Sequence, residues 1–447
     1  MYINEKTIVA IATPIGSAGV GIVRLSGEKS LEIAQQMFDK KIENVRYMYL
    51  GRIKTENLYE LGFVVYFKAP HSYTGEDVVE FQVHGGVMIL NEVVKECIKL
   101  GATMAERGEF TKRAFLNGKI KLNEAESLMD YINAQSNAEL IASKNLLSGA
   151  FSTQVNKFIE KIKNCLAQID VTLDYPEHDD ELKTAQNIKS ELYSLENEIK
   201  KLINSYNFGK IIKNGVNVCL VGEPNVGKSS IMNGLMNSDI AIVTNIAGTT
   251  TDSIKDSYLY KDIRFNIVDT AGLRESSNTI EKIGIERTKQ NISFADLILC
   301  VFDSLDLNKI DNILSQLETK NRLIVFNKKD IYDYKNIEKI LKSDEKYVII
   351  SANDEKSINM LKQNIFDMTL GGKINYDTNI IINQRHFELL SSAQNNILRA
   401  INNIDNTTLD CIACDIMEVF YDLSAIIGYG DIEDIIDTIF SKFCLGK

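Results

Sequence analysis

The sequence predicts a multidomain fold in which one chain carries an N-terminal α+β domain, an all-helical domain and an inserted α/β domain. A chain of 447 residues is long for a single hydrophobic core. Between Ala150 and Phe208 glycine is absent and apolar residues recur at helical spacing. Residues 215–370 instead alternate apolar strand candidates with helical segments, which is typical of a mostly parallel sheet with helices on both faces.

The N-terminal region, residues 1–118, mixes short strand candidates with turns. Thr7 to Ala12 and Val20 to Leu25 are apolar and rich in β-branched residues, and a glycine-rich turn separates them. Apolar and polar residues alternate from Val79 to Val83, which indicates a half-buried strand. A segment of helical spacing, Leu90 to Leu100, follows. We therefore expect an α+β domain here.

Two helical stretches flank the α/β region. The apolar stripes run from Val155 to Ile169, from Ile188 to Leu202 and from Ile412 to Leu423, and Pro176 is expected to separate the first two helices. The economical explanation is one discontinuous helical domain, residues 119–212 and 373–447, interrupted by an α/β domain at residues 213–372. Two separate helical domains are the alternative.

Composition limits the function classes. A net charge of −11 disfavours non-specific nucleic-acid binding, so RNA would need a local basic patch or a partner. Seven scattered cysteines favour reduced thiols, and we expect the CxxC pair Cys411 and Cys414 to be buried helix thiols rather than a metal or redox site. No apolar run is long enough for a membrane span and no secretory signal is recognisable, so we expect a cytoplasmic protein without membrane contact.

A phosphate-binding loop is predicted between an apolar strand and a helix. Gly222 to Ser229 read GEPNVGKS, which fits the pattern GxxxxGKS. Glycines let backbone N–H groups surround phosphate oxygens, and the helix N-terminus adds positive potential. Lys228 is expected to reach the β- and γ-phosphates, and Ser229 to offer its hydroxyl to Mg²⁺.

Three further motifs follow in an order that indicates guanine nucleotides. The run NKKD ends in Asp330, whose carboxylate can accept two hydrogen bonds from guanine N1 and N2, a donor pair that adenine lacks. Ser351 to Asn353 follow the next strand and are expected to contact the base. Asp269 to Gly272 read DTAG, and Thr250 is the expected second hydroxyl ligand of Mg²⁺. Together the four motifs resemble the translation-factor class of P-loop GTPases.

The residues that catalyse GTP hydrolysis are harder to identify from the sequence than those that bind the nucleotide. Leu273 stands where Ras has its water-orienting glutamine, and no arginine finger is identifiable in the chain. Asn225, inside the phosphate-binding loop, is placed to help bind a monovalent cation. Glu281 could polarise the attacking water, although by itself it is one surface carboxylate among many.

The two ends of the chain resemble the MnmE/TrmE family of tRNA modification GTPases. The order of domains agrees, and the resemblance covers essentially all 447 residues. The segments that carry it are ATPIG at 12–16, GVGIVRLSG at 19–27, GEDVVE at 75–80, HGG at 84–86, GEFTKRAFLNGK at 108–119 and FCLGK at 443–447.

The resemblance implies site residues and cofactors beyond those that the motifs predict. It implies a folate-binding N-terminal domain that also dimerises, contacts to a one-carbon tetrahydrofolate (5,10-methylene or formyl), a potassium ion at the phosphates and a glutamate that orients water. The implied folate contacts are Arg24, Glu80, Lys119 and Lys447; the K⁺ ligands are Asn225, Thr244, Ile246 and Thr249; the catalytic residues are Glu281, Asn225 and Lys228.

The GTP contacts expected from motifs and resemblance together span five segments. They are Asn225, Val226, Gly227, Lys228, Ser229 and Ser230; Thr244, Asn245, Ile246, Ala247, Gly248, Thr249 and Thr250; Asp269, Thr270, Ala271 and Gly272; Asn327, Lys328 and Asp330; and Ser351, Ala352 and Asn353.

The family also implies a reaction and a partner. With a FAD-containing protein called MnmG or GidA, a homodimer of the family adds an aminomethyl or carboxymethylaminomethyl group to carbon 5 of the wobble uridine of certain tRNAs. Cys444, three residues from the folate-contacting end, is a candidate participant in that chemistry. Two alternatives stay open at this point: a ribosome-assembly GTPase that acts as a switched binding module, and a GTP-regulated folate sensor without chemistry.

Overall fold

A computed structural model of the chain describes most of its residues, in two compact units. The first unit comprises residues 1–129, 146–197 and 388–447, and the second comprises residues 130–145 and 198–387. The three-domain boundaries expected from the sequence stay a prediction. The described residues are 6–175, 181–237, 256–269, 292, 294–315, 317, 321–334, 337, 341, 345–372, 380, 382–430, 436, 439–441, 443–444 and 446.

The first unit contains a six-stranded sheet. Its strands are β1 (Ile8–Ile11), β2 (Ala18–Ser26), β3 (Met48–Lys54), β4 (Tyr59–Phe67), β5 (Val78–Gly85) and β6 (Thr103–Met104). The strand order is β3-β4-β5-β2-β1-β6, and only the pair β1–β6 is parallel. With helices α1 (Ser30–Met37) and α2 (Val87–Lys99), the sheet confirms the predicted α+β architecture.

The two faces of this sheet differ because side chains alternate along each strand. One face packs on α1 and α2 in a core that includes Val23, Phe81 and Val93. On the other face, β3 and β4 expose apolar side chains, and Leu50 lies directly across from Phe63 in the register. Exposure of neighbouring large apolar side chains is a recognised sign of an interaction surface.

Five helical segments follow the first sheet along the chain, and the last two of them carry the apolar stripes predicted from Val155 to Ile169 and from Ile188 to Leu202. They begin with α3 (Glu109–Leu116), α4 (Leu122–Asn133), α5 (Asn137–Leu147), α6 (Ala150–Asp174) and α7 (Glu181–Asn214). In α6 the stripe residues Val155, Ile159, Ile162 and Ile169 are buried, and Phe151 and Phe158, which the stripe did not include, are buried with them. Pro176, the predicted break between α6 and α7, lies outside the described residues.

The second unit contains a mostly parallel six-stranded sheet, as predicted. Its order is β12-β11-β10-β7-β9-β8, and only the hairpin β8–β9 is antiparallel. Every residue from Leu297 to Phe302 is buried, because the strand is covered on both faces. The elements are β7 (Val216–Val221), α8 (Lys228–Asn237), β8 (Asp256–Tyr260), β9 (Ile263–Asp269), β10 (Leu297–Phe302), α9 (Leu307–Ser315), β11 (Arg322–Phe326), β12 (Tyr347–Ile349) and α10 (Glu355–Leu370).

Two further helices, α11 (Gln384–Asn403) and α12 (Leu409–Ile427), follow along the chain. In the first unit α12 packs along α6 through the predicted stripe. The expectation that Cys411 and Cys414 are buried was wrong: both are exposed. The stripe from Ile412 to Leu423 already fills the buried face, and the two cysteines point away from it at the 100° spacing of helical residues.

Within the described part of the chain, no helix combines the length and the apolar character needed to cross a membrane.

Candidate functional site

The phosphate-binding motif lies at the carboxyl edge of the parallel sheet. Strand β7 ends at Val221, helix α8 begins at Lys228, and residues 222–227 form the loop between them. Open parallel sheets bind ligands at this edge, and the first amide groups of α8 point toward the loop. The loop therefore has the geometry that anion binding requires.

The lysine of the motif is buried within its own loop. The ammonium Nζ of Lys228 donates to the carbonyl oxygens of Gly222 at 2.9 Å and Glu223 at 2.7 Å. These contacts hold a positive charge at the centre of the loop. Ser229 and Ser230, in the first turn of α8, are exposed, so their hydroxyls are accessible to a ligand.

Gly227 is required where the loop meets the NKKD motif. Its backbone φ of +97° is a conformation that other residues rarely adopt. A Cβ at this position would also lie 2.2 Å from Nδ2 of Asn327, far inside van der Waals contact. Any larger residue would push the asparagine away from the loop.

Asn327 joins three loops through one buried side chain. Its Nδ2 donates to the carbonyl of Val226 at 3.0 Å, and its Oδ1 accepts from the backbone N–H of Ala352 at 3.0 Å. The residue is 1% exposed, so both bonds lie away from water. The phosphate-binding loop, the NKKD motif and the Ser351–Asn353 loop are therefore fixed to each other before any ligand binds.

Lys328 adds a second link. Its Nζ donates to the carbonyl of Asn225 at 2.8 Å and to Oδ2 of Asp303 at 2.7 Å. Both Lys328 and Asn225 have a positive φ, 61° and 66°, a strain that a non-glycine residue keeps only where its surroundings impose it. The side chain of Asn225 is exposed, so its amide is accessible.

The base-recognition carboxylate is poised as an acceptor. Asp330 is exposed, and a hydrogen bond from the buried Ser351 lowers its pKa below 3.8. It is therefore ionised at neutral pH and can accept hydrogen bonds but not donate them. Asn353 is exposed in the same loop.

The loop that carries Ser351 continues into a capped helix. Asp354 accepts from the backbone N–H of Ser357 and caps α10. Nζ of Lys329, in the NKKD motif, lies 2.9 Å from Oδ2 of Asp354. Hydrogen bonds from Ser357 and Lys329 hold the pKa of Asp354 well below its ordinary value.

Part of the predicted site lies outside the described residues. This part includes Thr244 to Thr250, Thr270 to Gly272, and Glu281. The backbone of Asp269 is described: it ends β9, opposite Leu220 of β7, at the same sheet edge as the phosphate-binding loop.

Two residues that support the nucleotide site were not predicted from the sequence. Asp303, directly after β10, holds Lys328, and its position at the end of a parallel strand was a usable signal. Tyr334 donates its hydroxyl to the carbonyl of Asn327, and burial raises the pKa of Tyr334 to about 12. No short motif marked this tyrosine.

The expected folate contacts lie in the first unit. Arg24 of β2 and Glu80 of β5 face each other in the strand register, and Nε of the arginine lies 2.8 Å from Oε1 of the glutamate. The guanidinium also lies over the rings of Tyr73, at 5.6 Å, and Phe110, at 5.8 Å. This arrangement holds a cation and an anion side by side at the sheet surface.

The chain end reaches this ion pair. Nη1 of Arg24 lies 3.5 Å from the carbonyl oxygen of Gly446, and the N–H of Gly108 donates to the carbonyl of Cys444 at 3.4 Å. Gly446 has a φ of +90°, and a Cβ there would lie 2.1 Å from the carbonyl oxygen of Ile11. Cys444 is exposed, and Lys447 lies outside the described residues.

Lys119 lies on an adjoining loop rather than on the ion pair itself. Its exposed Nζ donates to the carbonyl of Pro70 at 2.9 Å, and its stem packs on Gly75. Tyr73 lies between Pro70 and Gly75 in sequence, and its hydroxyl forms a hydrogen bond with the hydroxyl of Thr111 at 2.9 Å. The loop from Pro70 to Gly75 therefore contacts Lys119 through its two ends and Arg24 through Tyr73.

A buried arginine that the sequence analysis did not single out anchors this loop. Arg113 is 1% exposed and donates to Glu76 at 3.0 Å, to Glu109 at 2.7 Å and to the carbonyl of Lys6 at 3.0 Å. Two carboxylates and a carbonyl satisfy its donors, as a buried charge requires. The network fixes the segment next to Tyr73.

Family models match nearly the whole chain. Residues 7–119 match the model described as the GTP-binding protein TrmE N-terminus, and residues 122–444 match the MnmE helical domain. Among solved structures, the G domain of the FeoB iron transporter of T. maritima is 26% identical, covers 34% of this chain and 98% of that chain, and gives a TM-score of 0.26.

Curated relatives match over their full length. The tRNA modification GTPase MnmE of Clostridioides difficile (strain 630) is 38% identical over 460 residues, with 100% of both chains covered. The protein of the same name from Acetivibrio thermocellus is 39% identical, again with 100% of both chains covered. The chain belongs to the MnmE family of tRNA modification GTPases.

Proposed function

We propose that this chain binds and hydrolyses GTP and that it acts in the modification of tRNA. The observation that carries the nucleotide assignment is the buried Asn327, which joins the phosphate-binding loop to the Ser351–Asn353 loop. Asp330, ionised and exposed beside that junction, selects guanine because it offers two acceptors to the N1 and N2 donors.

The residues of the loop suit a nucleotide triphosphate with Mg²⁺. Lys228 exchanges its carbonyl partners for phosphate oxygens, and the N-terminus of α8 stabilises their charge. The hydroxyls of Ser229 and Thr250 hold Mg²⁺, a hard ion that prefers oxygen ligands. Magnesium supplies neutralisation of the charge that develops on the phosphates.

Potassium is the proposed second cation. Its ligands are Asn225, Thr244, Ile246 and Thr249, and Glu281 orients the attacking water. The support from the described residues is Asn225, whose strained backbone is held by Lys328 while its side chain stays exposed. A cation there would substitute for an arginine finger in stabilising the transition state.

The N-terminal site is proposed to bind a one-carbon tetrahydrofolate through Arg24, Glu80, Lys119 and Lys447. The half-buried Arg24–Glu80 pair supplies a guanidinium for a carboxylate and a carboxylate for the pterin amino–imino edge. The docking of the chain end at Gly446 supports a role for Lys447, the next residue.

The full reaction needs a partner. We propose that a FAD-dependent protein of the MnmG/GidA type acts with this chain to install an aminomethyl or carboxymethylaminomethyl group at carbon 5 of the wobble uridine. The exposed Cys444 is a candidate participant. Residues 7–119 and 122–444 match a tRNA modification family, which favours this function over ribosome assembly. The proposed location is the cytoplasm, where tRNA is modified.

A homodimer is proposed through the exposed face of the first sheet. Met48, Leu50, Leu61 and Phe63 project from β3 and β4 and remain exposed in one copy of the chain. Burial of such a face against a second copy would remove apolar surface from water.

The experiment that tests the proposed function is GTP turnover in KCl and in NaCl at equal ionic strength. We expect strong stimulation by K⁺, and we expect the stimulation to be lost in Asn225→Ala. The matched control is Asn359→Ala, an exposed asparagine on α10. Equal slow turnover in both salts would contradict the potassium proposal, and absence of GTP turnover in either salt would contradict the proposed enzyme.

A further inference from the structure

The hairpin β8–β9 occupies a special place in the chain. In sequence it follows the segment that carries Thr250, an expected Mg²⁺ ligand, and precedes the segment that carries Gly272, an expected GTP contact. Its turn residues Lys261 and Asp262 have φ values of 48° and 63°. Such turns normally use Asn and Gly, so this pair is held in a strained conformation.

The turn end of the hairpin is tied to residues 135–139. Nδ2 of Asn137 donates to Oδ1 of Asp262 at 2.8 Å. Arg264, the second residue of β9, donates through Nη1 to the side-chain oxygen of Gln135 and through Nη2 to the carbonyl of Lys213 at 3.0 Å. Two side chains of the hairpin therefore meet the segment that leads into α5.

The segment that receives these bonds is itself held in place. The backbone N–H of Gln135 donates to the buried Glu139 at 2.8 Å, and Lys213 pairs with Asp130 at 2.8 Å. Burial raises the pKa of Glu139. The contacts of Arg264 thus end on an ordered polar cluster rather than on a loose loop.

The opposite side of the turn is fixed to α10. Tyr260 and Lys261 both donate to Oε1 of Gln363, at 2.9 and 2.8 Å. The ammonium of Lys261 also lies 4.7 Å from the ring centre of Phe366. The turn of the hairpin is therefore bonded to residues 135–137 on one side and to α10 on the other. This turn lies at the opposite end of β9 from the carboxyl edge of the sheet.

We infer that Asp262 and Arg264 are positioning residues that couple the nucleotide site to the segment 130–145. The inference rests on the proposed GTP binding. Strand β9 runs without interruption from Arg264 to Asp269, a span of about 17 Å. A paired strand is stiff along its length, so a shift of its Asp269 end on nucleotide binding displaces the turn and the residues bonded to it.

The test is amide hydrogen exchange of the full-length protein with and without GTP bound as a non-hydrolysable analogue. In the unaltered chain, exchange of peptides covering 130–145 should change by at least about fivefold on nucleotide binding. In the double variant Asp262→Ala, Arg264→Gln this response should vanish, while the change at residues 222–229 and the analogue affinity persist.

The matched control is Arg322→Gln. Arg322 begins β11 of the same sheet and pairs with Glu345. Like Arg264 it lies at the amino end of a parallel strand, so the variant removes an arginine from that end of the sheet without changing the contacts to residues 135–139. Asn137→Ala is the milder variant if the double variant folds poorly, because the hydrogen bond it removes is exposed.

Three outcomes overturn the coupling. The response at 130–145 is absent from the unaltered chain although the analogue binds, or it survives in the double variant, or it is lost equally in Arg322→Gln. Failure to bind the analogue at all is distinct, because it contradicts the proposed function as well.

Discussion

The two candidate sites are built in opposite ways. The nucleotide site gathers loops that follow strands of a parallel sheet, and the side chain of Asn327 contacts two of those loops. The Arg24–Glu80 site is instead a cross-strand pair in an antiparallel region, closed by the far end of the chain. Arg24 and Gly446 are 422 positions apart in sequence.

This difference decides what a single sequence reveals. The carboxyl ends of parallel strands always meet at one edge, so motifs placed after strands can be assembled without the structure. Antiparallel pairs and docked chain ends follow no such rule. The first site is therefore predictable from short motifs, whereas the second emerged only from the resemblance of the whole chain.

The largest effect on GTP affinity, confined to the nucleotide site, is expected for Lys228→Ala. It removes the charge at the centre of the phosphate-binding loop and should weaken GTP binding roughly 100-fold. Fluorescent-nucleotide titration measures it. Lys309→Ala is the control, because Lys309 pairs with Glu223 of the same loop but lies outside it. Equal losses in both variants would contradict a specific role for Lys228.

Asn327→Ala should disturb both folding and binding. It leaves the carbonyl of Val226 and the N–H of Ala352 without this partner, which should reduce the free energy of unfolding by about 2 kcal/mol. Urea denaturation and GTP titration measure the two effects. An unchanged GTP affinity would contradict the role of Asn327 in pre-organising the nucleotide site. The control is Asn321→Ala, because Asn321 is exposed and directly precedes β11.

Arg24→Gln tests the independence of the N-terminal site. The variant leaves Glu80 without its cation, so tRNA modification should fall at least about tenfold while GTP turnover stays within about twofold. Nucleoside analysis of tRNA from cells that carry the variant measures modification. Arg52→Gln, exposed on β3, is the control. An equal fall in GTP turnover would contradict the independence of the two sites.

The smallest effect is expected for Asp354→Ala, and it depends on pH. Because the folded pKa of Asp354 lies below 3.8, its carboxylate stabilises the fold above that pH, and the contribution disappears as pH falls through the lowered pKa. The variant should melt at a lower temperature at pH 7, with the difference shrinking below pH 3.8. The control is its exposed neighbour, Glu355→Ala; a difference independent of pH would contradict the capping role.

Sequence patterns predicted the elements well where one face is buried. The strands β7, β10 and β11 and the helices α6 and α12 match their apolar patterns because burial alone sets the spacing. The prediction failed for Cys411 and Cys414, since a small apolar residue beside a stripe is not necessarily part of it. The role of Arg113 could not be predicted, because its contacts with Glu76 and with the carbonyl of Lys6 join segments 37 and 107 positions apart. Tyr334 lies seven positions from Asn327, but no short motif marks their contact.

Nucleotide selectivity at Asp330 tests the central assignment most directly. The affinities for GTP, ATP and XTP would be measured for the unaltered chain and for Asp330→Asn. A side-chain amide offers one acceptor and one donor, which match xanthine N1–H and O2, so the variant should lose roughly 100-fold in GTP affinity and gain affinity for XTP. If ATP competes equally in the unaltered chain, or the variant still prefers GTP, the assignment of this site to guanine is wrong.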